Sequence, residues 1–87
     1  EFDAANPITA YNLANLMYQR QELVRAQFYI RRLNNSALAN AESLWLAVKI
    51  ERKLGNLVGV AQLGESLKKR FPESKEMSLF DRGTFNE

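Results

Sequence analysis

The chain has 87 residues, 46% of them hydrophobic, with 12 Lys and Arg against 10 Asp and Glu for a net charge of +2. That length holds one small domain, the apolar share argues against disorder, and so slight a basic excess argues against a nucleic-acid-binding composition. Cysteine and histidine are both absent, which removes disulfides, thiolate metal sites, thiol nucleophiles and the commonest general base.

Residues 1–7 read as a lead-in. The chain opens on Glu1-Phe2 without a Met, so we expect a cloning remnant at 1–2 and a longer parent carrying any targeting signal. Pro7 suits the first turn of a helix, with Asn6 as its cap. From 8 to about 20, Ala10, Leu13, Ala14 and Met17 share one helical face. A break follows at Gln21-Glu22, which has neither Gly nor Pro. The next helix is expected over 23–33 with Leu23, Ala26, Ile30 and Leu33 as its stripe.

Asn34-Asn35-Ser36 is a stop signal, because Asn tolerates the left-handed conformation that ends helices. A connector at 37–40 leads to a third helix over 41–54 carrying Leu44, Trp45, Val48 and Ile50. Gly55-Asn56 ends it, and a fourth helix is expected over 57–70. Phe71-Pro72 closes that helix, since the residue before a proline is pushed out of the helical region. Ser74, Met77, Leu79 and Phe80 mark a short last helix to about 82, ended by Gly83.

These elements repeat. Gln21-Glu22-Leu23 is followed by Ala26, Ile30 and Leu33; 34 positions later, Gly55-Asn56-Leu57 is followed by Val60, Gly64 and Leu67. Units of helix, turn and helix at that period resemble tetratricopeptide repeats, which stack into binding scaffolds. The expected fold is therefore all-α: two antiparallel helix pairs, at 8–36 and 41–72, then a capping helix and tail at 74–87, together a fragment of a right-handed α-solenoid. Val60 stands where a small residue is expected and Ala61 follows it, which leaves a one-residue register open in the second unit, Trp45 included. An upstream face left bare on the first helix makes self-association of the chain an expectation.

Ala10-Tyr-Asn-Leu-Ala-Asn-Leu-Met-Tyr18, Ala26-Gln-Phe-Tyr-Ile-Arg-Arg-Leu33, Leu44-Trp-Leu-Ala-Val-Lys-Ile-Glu-Arg52 and Leu67-Lys-Lys-Arg-Phe-Pro-Glu-Ser74 fit more than the generic repeat. With Leu54-Gly55 and Arg82-Gly83-Thr84-Phe85, they resemble the C-terminal repeats of the type IV pilus pilotin family, over residues 8–87. The resemblance implies a lipoprotein on the periplasmic face of the outer membrane that helps the pilus secretin assemble. It implies a protein partner, the secretin or another pilus-assembly protein, with no nucleic acid and no cofactor. Membrane attachment would come only through a lipid anchor, and the family's lipid-bearing Cys is not in this chain.

Aligning the two units places Tyr11, Asn15 and Tyr18 on the groove side of the first, and Trp45, Lys49, Arg52 and Lys53 on that side of the second. Spacings of three and four keep each set on one helical face. Asn15 can hold peptide backbone while Lys49 and Arg52 attract carboxylates, and the aromatics add contact area. A plainer reading stands beside each: a solvated face for Lys49, Arg52 and Lys53, and packing for Trp45, Tyr11 and Tyr18. Arg20, Arg25, Arg31, Arg32, Lys68, Lys69 and Arg70 form the other basic set. Arg31-Arg32 and Lys68-Lys69-Arg70 sit near helix ends, where they complement the helix dipole. Glu51 and Glu65 read as solvated surface rather than an acid–base pair, and no phosphate loop, metal spacing or nucleophile elbow occurs. A binding protein, not an enzyme, is expected.

Overall fold

Caps and tight turns mark where most of the described helices begin and end. The computed structural model describes residues 7–35 and 39–83. They form α1 (Pro7–Gln19), α2 (Leu23–Asn34), α3 (Ala41–Leu54), α4 (Leu57–Arg70) and α5 (Lys75–Arg82). The all-α expectation holds. Of the lead-in expected at 1–7, residues 1–6 lie outside the described residues and Pro7 opens α1; residues 84–87 of the expected tail, with Thr84 and Phe85, and 36–38 also lie outside them.

Two turns set the spacing. After α3, Gly55 takes a left-handed φ of 81°. Its N–H donates to the Arg52 carbonyl (3.1 Å), and the Asn56 N–H reaches back to the Glu51 carbonyl (2.9 Å). After α1 the same pair of bonds recurs, from Gln21 N–H to Tyr18 (3.1 Å) and from Glu22 N–H to Met17 (2.9 Å). This double bond pattern demands a left-handed residue. Gln21 adopts it, at φ 65°, as the single non-glycine of positive φ among the described residues. The break that lacked its glycine is thus the same turn, held against a steric cost of about 1–2 kcal/mol for a residue with a Cβ.

The other boundaries differ in mechanism. Asn35 is right-handed (φ −84°), contrary to the expectation for the Asn34-Asn35 stop. Asn34 instead turns its Nδ2 toward the Ser43 carbonyl (3.2 Å), tying the end of α2 to α3. Asn40 opens α3 through a reciprocal cap, accepting from Ser43 N–H (2.8 Å) while its own N–H donates to Ser43 Oγ (2.9 Å). Asn56 caps α4 by accepting from Gly59 N–H. Ser74 caps α5 by accepting from Met77 N–H.

In sequence order, α1 packs on α2, α2 on α3 and α3 on α4, and α5 closes against α3 and α4. One core cluster joins Ala10, Ala14 and Tyr18 of α1 to Ala26, Ile30 and Leu33 of α2 and to Leu46, Ala47 and Ile50 of α3. A second joins Leu44, Trp45 and Val48 to Leu67 and Met77. Three alanines at the α1–α2 contact leave room for close backbone approach. Leu13 is only half-buried; the inward face of α1 turns through Ala10, Ala14 and Tyr18 instead. Val60 packs on the second cluster while Ala61 is exposed, so of these two it is Val60 that faces inward. α3 serves both clusters and is buried from Ser43 through Val48.

Gly64, 34 positions after Ile30, is buried where Ile30 fills the core. A Cβ at Gly64 would come within 2.3 Å of the Phe80 ring. The missing side chain is the notch into which α5 seats its aromatic. Gly64→Ala gains about 1 kcal/mol of helix propensity but must displace that ring, at a typical overpacking cost of about 1–3 kcal/mol. We expect a net loss in urea denaturation; a stabilised variant would show that Phe80 is not seated there.

Candidate functional site

Helical spacing on α3 carries Glu42, Trp45, Lys49 and Lys53 along one face. α1 brings Tyr11, Asn15 and Tyr18 to its own corresponding face, each one turn from the next. Tyr11, Trp45 and Lys49 line a cavity of about 200 Å³ with Glu42 from α3 and Lys75, Glu76 and Leu79 from α5. The last helix, expected as a cap, therefore also forms a wall of this cavity. Two lysines and two glutamates are among its lining residues, so the lining is mixed in charge rather than simply basic.

Tyr18 is the anchor of the adjoining stretch. It is buried in the first cluster, and the ammonium groups of Lys49 and Lys53 lie 5.5 and 5.6 Å from its ring centroid. Cations over an aromatic face are drawn by its quadrupole. The two lysines are thus gathered at one ring, with Lys49 half-buried and not the exposed residue expected. Arg52 is exposed on the next turn, and Asn15 is half-buried between the two tyrosines of α1. Trp45, at 6% exposure, is chiefly a core residue. Its indole supports the cavity wall more than it offers a free surface.

Burial raises the Tyr11 phenol above its ordinary 10.0, and the carboxylates of Glu42 and Glu76 add to the rise. Burial alone raises Tyr18. A phenol that holds its proton more tightly folded than unfolded contributes stability that is whole below about pH 10 and is lost as pH rises through the folded value. Denaturant midpoints should therefore fall above about pH 10, and the fall should be shallower in a Tyr11→Phe/Tyr18→Phe variant. An identical slope in that variant would assign the alkaline loss to other groups.

The opposite face of α3 holds what sequence reasoning missed. Glu51 is not solvated; it is 2% exposed. Its Oε1 accepts from Gln27 Nε2 and Asn56 Nδ2, both at 2.9 Å. Its Oε2 accepts from Arg31 Nε and Nη2, both at 3.0 Å. Arg31 is therefore a partner of a buried carboxylate and not simply a complement to the helix dipole. Glu65 is exposed, as expected. Beside Glu51 a second cavity, about 460 Å³, opens between α2 and α4, whose backbones stand apart. One signal could have found this network: the 34-residue register puts Glu51 opposite Met17, a carboxylate at an apolar position.

Among the described residues, no cluster of His, Cys, Asp and Glu could hold a metal ion, and no helix is long and apolar enough to cross a membrane. Comparison of the chain with protein-family models, curated proteins and solved structures finds no match.

Proposed function

We propose that this chain is a protein-binding scaffold of two tetratricopeptide-type hairpins, stacked as a short right-handed solenoid with α5 as the cap. In this reading it is the C-terminal repeat portion of a pilotin that assists secretin assembly at the outer membrane in type IV pilus biogenesis. It works by binding, without catalysis or a cofactor. The observation that carries the scaffold reading is the pairing of Tyr11 with Trp45. They are 34 positions apart on α1 and α3 and line one cavity. The turns at Gln21 and Gly55 support it by closing with the same bonds at the same offset. The pilotin assignment draws on the sequence resemblance. Ile8 and Leu16, both exposed on α1, supply the surface for self-association.

The groove binds an extended segment of its partner: Asn15 meets backbone, and Lys49, Lys53 and Arg52 meet carboxylates. An unrelated adaptor that takes a peptide in the same groove is the second reading, favoured by the mixed charge of the cavity. One experiment separates them. Titration with the periplasmic part of a pilus secretin should show saturable binding that weakens at least about tenfold in Lys49→Glu/Arg52→Glu, with helicity unchanged. No secretin binding by the unaltered chain removes the pilotin role. Equal binding by the double variant moves the contact away from this groove.

A further inference from the structure

The cleft between α2 and α4, at about 460 Å³, is larger than the cavity at Tyr11 and Trp45, and the proposed function does not use it. Its floor is apolar, from Leu44, Ala47 and Leu63, and Gly59 keeps one side low. Its walls include Asn34, Gln62, Ser66 and Arg70, whose guanidinium lies 5.6 Å from the Phe71 ring centroid and keeps its hydrogen-bond edge for a visitor. Glu51 is the one carboxylate of the lining, and both its oxygens are already taken by Gln27, Asn56 and Arg31. It neither claims Arg70 nor presents a bare charge to an acidic visitor.

Asn34 adds an independent sign. Its Nδ2 is committed to the Ser43 carbonyl, which fixes which end of the amide is which. Its Oδ1 is then buried with no hydrogen-bond partner among the described residues. A buried acceptor left unmade is costly, and native structures rarely tolerate one without a use. An incoming N–H that displaces the side chains covering it would complete it.

Side-chain amides over an apolar floor, an unmet acceptor and a cation at one wall match the groups of an extended peptide. Its backbone N–H and C=O pair with Asn34 and Gln62, an apolar side chain rests on Leu44 and Leu63, and an acidic side chain meets Arg70. Two arginines line the cleft, Arg31 held by Glu51 and Arg70 over the Phe71 ring, too few for a nucleic-acid backbone. At about 100° per residue, positions 44, 47 and 51 face away from 42, 45 and 49 on α3. The cleft and the α1–α3–α5 cavity are therefore back to back.

We propose that the α2–α4 cleft is a second binding site, taking an extended peptide segment in which an apolar residue lies near an acidic one. The test uses the whole chain, labelled with nitrogen-15, and a panel of end-blocked hexapeptides in which one Leu and one Asp are separated by zero to three glycines. At least one peptide should bind saturably and shift the side-chain amides of Asn34 and Gln62. Replacing its Asp by Asn, or Arg70→Glu in the protein, should weaken binding by about tenfold. Gln62→Trp, at an exposed position that would fill the cleft, should abolish it. Lys49→Glu/Arg52→Glu should leave it unchanged, which separates this site from the groove on the other face. The proposal fails if no peptide shifts those amides, or if the binding peptide ignores both Arg70→Glu and Gln62→Trp.

Discussion

Leu67→Ala is expected to lower stability by about 2–5 kcal/mol, the range for emptying a fully enclosed leucine site. Leu67 is 0% exposed and sits where α4 meets α3 and α5, against Leu44, Val48 and Met77. α3, α4 and α5 pack on one another around it, so collapse can recover only part of the cavity. A chain of this size has few kcal/mol in reserve, and for small domains each one moves Tm by about 4–8 °C. Urea and thermal unfolding followed by helicity should both register the loss. The contrast is Leu13→Ala, which is half-buried outside both clusters and should cost clearly less. A loss below about 1 kcal/mol at Leu67 would mean that the second cluster is not a packed core.

Glu51→Ala should cost about 3 kcal/mol, for a different reason. The carboxylate is the hub for three partners, and its removal strands the Gln27 and Asn56 amides in a half-buried place while also emptying volume. Breaking a buried pair by deleting one member typically costs about 3–5 kcal/mol, because the other group is left uncompensated. Arg31 moderates this, since its side chain is 54% exposed and can turn to water. For the same reason Arg31→Ala should cost only about 1 kcal/mol: Glu51 keeps two donors. The asymmetry is the diagnostic. Equal losses at the two positions in paired urea titrations would show that the salt bridge, and not the hub, carries the energy.

Local chemistry made much of this fold readable. Gly55, Pro72 and Gly83 each mark a boundary through a backbone property and Ser74 through its capping side chain, and each boundary lies within a residue or two of its expected place. The first turn was legible only through its counterpart 34 positions on, because Gln21 adopts the left-handed form without being glycine. Interactions between distant elements were not legible. Nothing near Glu51 announces Gln27 and Arg31, which reach it from α2, and Asn34 shows its bond to Ser43 only once α2 and α3 are side by side. Spacing did place Tyr11, Asn15 and Tyr18 along one face of α1 and Trp45, Lys49 and Lys53 along one face of α3. What period alone could not give was depth: Trp45 and Tyr18 turned inward, while α5 supplied the wall with Lys75 and Glu76.

Phe80 fitting where Gly64 lacks a side chain ties two remote positions into a single unit of shape. Neither can grow without the other shrinking, so an alanine at 64 would be rescued by trimming the ring at 80, and a smaller residue at 80 alone would leave a hollow over α4. Substitutions along the last helix are thereby judged by a helix that precedes it in the chain, and this pair should drift together or stay as it is.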